Sequence, residues 1–111
     1  MRNIKLAGIL RREVSEILHD ELKDPRIGFI TITHVEVTKD CRYARIYFSI
    51  YGANKEKDEA KKGLDSATGF VRKLIGERVR MRFVPEIEFK LDESVEESFR
   101  MDELFKRIKK Q

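Results

Sequence analysis

Between Arg72 and Arg82 five cations, Arg72, Lys73, Arg78, Arg80 and Arg82, stand against one carboxylate, Glu77. The local excess of +4 equals that of the whole 111-residue chain. The planar fork of arginine donates two parallel hydrogen bonds and suits phosphate oxygens. Residues 92–103 are the reverse, with Asp92, Glu93, Glu96, Glu97, Asp102 and Glu103 opposing Arg100 alone. Charge segregated in this way points to a nucleic-acid backbone at the basic stretch rather than to an evenly solvated surface. A second candidate is Tyr43, Arg45 and Tyr47, which share one side of a strand pattern. Aromatic rings interleaved with a guanidinium can stack single-stranded bases. Tyrosine is equally at home on a half-exposed strand for its β propensity alone.

Enzymatic chemistry needs a constellation, and none can be assembled from this sequence. His19 falls on the polar side of a helical pattern and His34 at a slip in a strand pattern; neither has a ligand-spaced Cys or His partner. Cys41 has no base beside it and reads as a small, partly buried apolar side chain at a turn. Neither Gly-x-x-x-x-Gly-Lys nor Gly-x-Gly-x-x-Gly occurs, so nucleotide binding has no signature. We expect no metal, no cofactor and no catalytic residue.

The elements that must position the cations follow from periodicity. Leu6, Ile9, Leu10, Val14, Ile17, Leu18 and Leu22 recur at helical spacing, with Asn3 as a candidate N-cap and Asp24-Pro25 ending the run. Ile30, Ile32, Val35 and Val37 predict a strand whose alternation slips by one at His34-Val35, the mark of a bulge. Lys39-Asp40 makes a turn. Ala44, Ile46, Phe48 and Ile50 then alternate with Tyr43, Arg45, Tyr47, Ser49 and Tyr51, and Gly52-Ala53-Asn54 closes the hairpin. Ala60, Leu64, Ala67, Val71, Leu74, Ile75 and Val79 restore the helical period. Gly69 inside it predicts a kink over Ser66–Gly69, with Ser66 or Thr68 capping the turn that follows. Residues 85–91 alternate as a third strand, and Ser94-Val95-Glu96-Glu97 is a capping box opening a last helix. The fold class is α+β: helix, strand, strand, helix, kink, helix, strand, helix, with a three-stranded sheet carrying its helices on one face. One domain is expected over residues 1–111, with a core over 1–91 and a C-terminal helix over 94–110.

Composition bounds the rest. Hydrophobic residues are 41% and charged residues 40%, which excludes wholesale disorder. No apolar run is long enough to span a membrane, and charges interrupt the N-terminus at once. Arg2, Lys5, Arg11 and Arg12 crowd the first helix, but its apolar stripe is required by the core, so a membrane surface is not the expected partner. A single cysteine suits a reducing cytoplasm. Scarce Asn and Gln beside abundant Lys, Arg and Glu suit a thermophile.

An ordered set of short pieces carries a family resemblance. These are Leu22-x-Asp24-Pro25-Arg26, Val35-Glu36-Val37-Thr38 followed by Asp40, and Ala44-Arg45-Ile46-Tyr47-Phe48-Ser49. Ala67-Thr68-Gly69, Arg72, Arg80-x-Arg82-x-x-Pro85-x-Ile87-x-Phe89 and Asp92-x-Ser94 follow. In order and spacing the sequence resembles ribosome-binding factor A, a family of bacterial small-subunit assembly factors, over nearly its whole length. The resemblance implies a KH-like domain of the second topological type, in which an Ala-x-Gly kink at Ala67-Thr68-Gly69 replaces the Gly-x-x-Gly loop of other KH domains. It departs at Cys41, where the family tends to carry a larger apolar residue, and contacts of the longer C-terminal tail of some relatives are not carried over.

The resemblance implies a non-enzymatic cytoplasmic assembly factor, a monomer. It would bind the free, immature 30S small ribosomal subunit, contact 16S rRNA and its precursor, and assist maturation of the 5′-end region, most visibly in the cold. Other small-subunit assembly factors are possible partners. The RNA contacts expected are Ser66, Ala67, Thr68, Gly69, Arg72, Lys73, Arg78, Arg80 and Arg82, with Arg45 and Tyr47 on the sheet. The positive end of the helix after the kink would add to phosphate attraction. The alternative is a protein–protein interaction module docking through the acidic C-terminal helix or a sheet edge, separable by its weaker salt dependence.

Overall fold

The computed structural model describes residues 4–22, 24, 25, 27 and 30–94. The first helix, α1, spans Ile4–Asp20 and buries Leu10, Val14, Ile17 and Leu18. Leu6 and Leu22 pack at the margin of the same core. Backbone bonds from the Glu21 and Leu22 N–H groups to the Ile17 carbonyl (2.9 and 3.3 Å) close its last turn ahead of Pro25.

The strands β1 (Ile30–Val37) and β2 (Tyr43–Ile50) pair antiparallel, and β3 (Glu86–Leu91) joins β2 in parallel. The order β1-β2-β3 therefore puts β2 in the centre. A slip in β1 is present, one residue earlier than the expected His34-Val35: Ile32 faces Phe48 and His34 faces Tyr47, so Thr33 is the extra residue of a bulge. Its hydroxyl donates to Asp92 Oδ2 at 2.6 Å. The β1–β2 turn closes through the Cys41 N–H to the Thr38 carbonyl at 2.9 Å. Cys41 itself lies in the left-handed region at φ 62°, a conformation usually left to Gly or Asn. The Thr38 hydroxyl and the Arg42 backbone N–H both donate to Asp40, holding its carboxyl below the usual range. Gly52 and Ala53 do not close a hairpin. They lead from β2 into the next helix, with Gly52 at φ 156°, where a Cβ would meet Glu56 Cβ at 3.1 Å.

That helix, α2, runs from Asn54 to Arg78 as 25 unbroken residues. The kink expected over Ser66–Gly69 does not divide it. Gly69 sits on the exposed face, and Leu64, Val71 and Ile75 bury on the opposite face in one continuous phase. The ~1 kcal/mol that glycine costs in a helix interior is small against ~1.5–3 kcal/mol for each buried aliphatic side chain. Thr68 caps nothing; its hydroxyl turns back to the Leu64 carbonyl at 3.1 Å. With no helix start at this point, the positive helix end expected there is absent too.

Ile32, Val35 and Val37 of β1, Ala44, Ile46 and Phe48 of β2, and Phe89 of β3 form one buried face under α1 and α2. Tyr43, Arg45, Glu86 and Glu88 line the other, exposed face. Apart from Ser94, the expected C-terminal helix over 94–110 lies outside the described residues.

Candidate nucleic-acid interface

The structure divides the expected site residues into three groups. The first is a strip along the exposed face of α2. Ser66, Gly69 and Lys73 follow each other at helical spacing and are exposed, with Phe70 between them 42% exposed. Ala67 and Thr68 turn partly inward. A Cβ added at Gly69 would meet nothing within 4 Å. Gly69→Ala is therefore expected to raise the unfolding free energy by about 0.5–1 kcal/mol, read by urea or thermal unfolding. A destabilised variant would show that the helix needs a bend at that residue. A stabilised variant that binds its partner less well would show that the missing Cβ serves close approach.

The second group lies where α2 gives way to residues 79–85 and then β3. Arg80 and Arg82 are exposed there, and with Lys73 they make no ion pair among the described residues. Two other cations of the stretch are committed inside the molecule. Arg72 donates from Nε to the Pro85 carbonyl at 2.9 Å and from Nη2 to the Val84 carbonyl at 3.1 Å, with Glu86 3.5 Å away. Arg78 reaches α1 and the residue after it, pairing with Glu13 at 4.0 Å and Glu21 at 3.2 Å. These two hold the chain together as much as they hold charge, so among the described residues the basic stretch presents Lys73, Arg80 and Arg82 as its unpaired cations.

The third group, Arg45 and Tyr47, is on the face of the sheet away from both helices and does not join the others. Arg45 pairs with Glu88 at 3.7 Å, and the Tyr47 side chain followed by the Glu88 carboxylate holds it more firmly charged. The Tyr47 ring packs against His34, centroids 5.6 Å apart, and His34 Nε2 lies 3.2 Å from Glu36. Glu88 and Glu36 stand beside Arg45 and His34 on this face, which leaves it less favourable for phosphate than the basic stretch.

Charge counting passed over two aromatics. Phe83 is 43% exposed beside Arg82, and the Arg42 guanidinium lies 5.8 Å from its ring centroid. Phe70 is its counterpart on α2. The signal was available in the sequence: Phe70 falls off the apolar stripe of α2, and Phe83 interrupts a run of cations. Among the described residues no group of His, Cys, Asp and Glu could hold a metal ion, and no helix is long and apolar enough to cross a membrane.

The family model for ribosome-binding factor A matches residues 2–105. A ribosome-binding factor A of Halothermothrix orenii is 49% identical over 107 residues, covering 96% of this chain and 88% of that protein. The crystal structure of ribosome-binding factor A from Thermus thermophilus superposes with a TM-score of 0.71 at 28% identity, covering 78% of this chain and 91% of that one. A homology model of the Thermus thermophilus protein, fitted into a cryo-EM map of a 30S-RBFA complex, superposes with a TM-score of 0.65 at 27% identity, covering 76% and 88%. The chain belongs to the ribosome-binding factor A family.

Proposed function

We propose that this protein is a non-enzymatic ribosome maturation factor of the cytoplasm. It binds the free, immature 30S subunit and assists processing of 16S rRNA at its 5′-end region. The match to the family over residues 2–105 carries this reading. The Thermus thermophilus relative fitted into a 30S complex supports the choice of partner. The order α-β-β-α-β is consistent with one KH-like domain of the second topological type, here with an unbroken α2.

The mechanism is differential binding. A protein that holds one rRNA conformation more tightly than another shifts the population toward it, without turning over a nucleotide. The exposed strip Ser66, Gly69 and Lys73 follows the RNA backbone, and Arg80 and Arg82 neutralise phosphates beyond it. Arg72 and Arg78 contribute field from positions fixed by their own partners. Arg45 and Tyr47 face carboxylates, and the proposal gives them no RNA contact.

Co-sedimentation tests the reading. The full chain should pellet with small subunits carrying precursor 16S rRNA in preference to mature small subunits, and weakly with large subunits. Removing one cation that neutralises a phosphate should lower the log–log salt slope by about 0.7–0.9, so replacing Lys73, Arg80 and Arg82 together by Gln should lower it by about 2 or more. The triple variant should melt as the wild type does, since none of the three holds an ion-pair partner among the described residues. Equal pelleting with both subunits, or an unchanged slope in the folded triple variant, would overturn the assignment.

A further inference from the structure

We propose that Phe83 and Arg42 form a stacking platform for one unpaired RNA base, with Arg82 and Arg80 taking the phosphates beside it; the proposal rests on the RNA-binding reading above. Phe83 is a large apolar side chain left 43% exposed on a loop, and Arg42 lies over its ring at 5.8 Å. A guanidinium at that range is attracted to the ring face and stacks on aromatic planes itself. An exposed ring with a guanidinium against it offers an apolar surface and a positive charge together, which is what an unstacked base with its phosphate requires.

Both members are held from behind. The Val84 and Pro85 carbonyls, which follow Phe83, accept from Arg72 at 3.1 and 2.9 Å. Val84 also packs against Gly76 so closely that a Cβ there would come within 3.1 Å of it. The Arg42 carbonyl accepts from the Glu86 N–H at 2.8 Å. The backbone that carries the two side chains is thus tied down before binding, which lowers the cost of ordering this segment.

The surrounding charge selects a polyanion. Lys39, Arg42, Arg80 and Arg82 occupy the two loops, and the carboxylates there are already engaged. Asp40 accepts from Thr38 at 2.7 Å and lies 3.9 Å from Arg42 Nε, and Glu86 faces Arg72 at 3.5 Å. An acidic protein segment would use the cations but not the ring. A single-stranded nucleotide uses both.

The test titrates the full chain with a fluorescent single-stranded oligouridylate and with an RNA duplex of the same length. Stacking on an aromatic is worth about 5- to 150-fold in affinity per base. Phe83→Leu, which keeps an apolar side chain at an exposed position, should therefore weaken single-strand binding by about that factor, with the salt slope unchanged and duplex binding little altered. Phe83→Trp should restore affinity. Because the chain has no other tryptophan, quenching of its fluorescence on binding should report the stack directly. Unchanged single-strand affinity in Phe83→Leu, with the Lys73/Arg80/Arg82 triple variant still weakened, would overturn the platform and leave the RNA-binding reading standing. An unquenched tryptophan in a complex that forms would also overturn it. A wild-type protein that binds neither RNA nor small subunits would remove the RNA-binding reading itself.

Discussion

Phe48→Ala should lower the unfolding free energy by about 3–5 kcal/mol, the cost of removing a fully buried aromatic side chain and leaving a cavity. Phe48 is 0% exposed and stands in the central strand, facing Ile32 on one neighbour and Leu91 on the other. Nothing can close over the vacated space easily, because β2 is paired on both edges and both helices lie on the same face. A domain of this size has roughly 5–15 kcal/mol in total, so the variant should be largely unfolded well below the wild-type melting temperature. Urea unfolding followed by circular dichroism measures it, and an unchanged m-value would locate the loss in the native core. Tyr51→Ala is the companion measurement. At 93% exposure it should stay within about 0.5 kcal/mol of wild type. A loss under about 1 kcal/mol in Phe48→Ala would mean that the helices are not seated on the inner face of the sheet.

The elements that build that core were legible because their period is local. The alternation of Ala44, Ile46 and Phe48 reads directly as β2, and the one-residue slip among Ile30, Ile32, Val35 and Val37 reads as the bulge at Thr33. Glycine in a helix misled, because its cost is an intrinsic propensity and propensity is a weak prior. The buried stripe of α2 continues on both sides of Gly69 and carries the helix through it. Cys41 is the opposite case. Its left-handed backbone is imposed by the turn bond to Thr38 and by the Asp40 side chain, and nothing in a cysteine announces it.

At the candidate interface the charge was legible and its use was not. Arg72, Lys73, Arg78, Arg80 and Arg82 look alike in a count. Which of them are spent internally depends on residues far along the chain: Arg78 finds Glu21 across 57 positions, and Arg72 finds the carbonyls of Val84 and Pro85 only because the chain turns back there. Phe83 stands out in the sequence by interrupting the run of cations, but its exposure does not. An aromatic in a loop reads as core until the packing shows that it faces solvent beside Arg42.

Arg72 is where these two kinds of role separate by measurement. A variant set that treats it as a free phosphate ligand would confuse weakened binding with weakened stability. Its guanidinium makes two hydrogen bonds to backbone carbonyls of the segment entering β3, tying that segment to α2. Hydrogen bonds from a charged donor contribute about 1.5–3 kcal/mol, and removing the donor leaves the carbonyl beside the buried Pro85 without its partner. Arg72→Met keeps the length and the apolar stem and removes the fork; it should cost about 2–3 kcal/mol of unfolding free energy. Arg72→Lys should recover only part of this, because an ammonium cannot reproduce the two planar donors. The neighbouring Glu86 is 67% exposed, so Glu86→Gln should cost little, and a double-mutant cycle between the two should show a coupling below about 1 kcal/mol. The RNA salt slope of folded Arg72→Met should stay near the wild-type value, whereas Lys73→Gln alone should reduce it by about 0.7–0.9. A stable Arg72→Met with a flattened slope would reverse the assignment, placing Arg72 among the phosphate ligands and leaving the Val84 and Pro85 carbonyls to be satisfied by solvent.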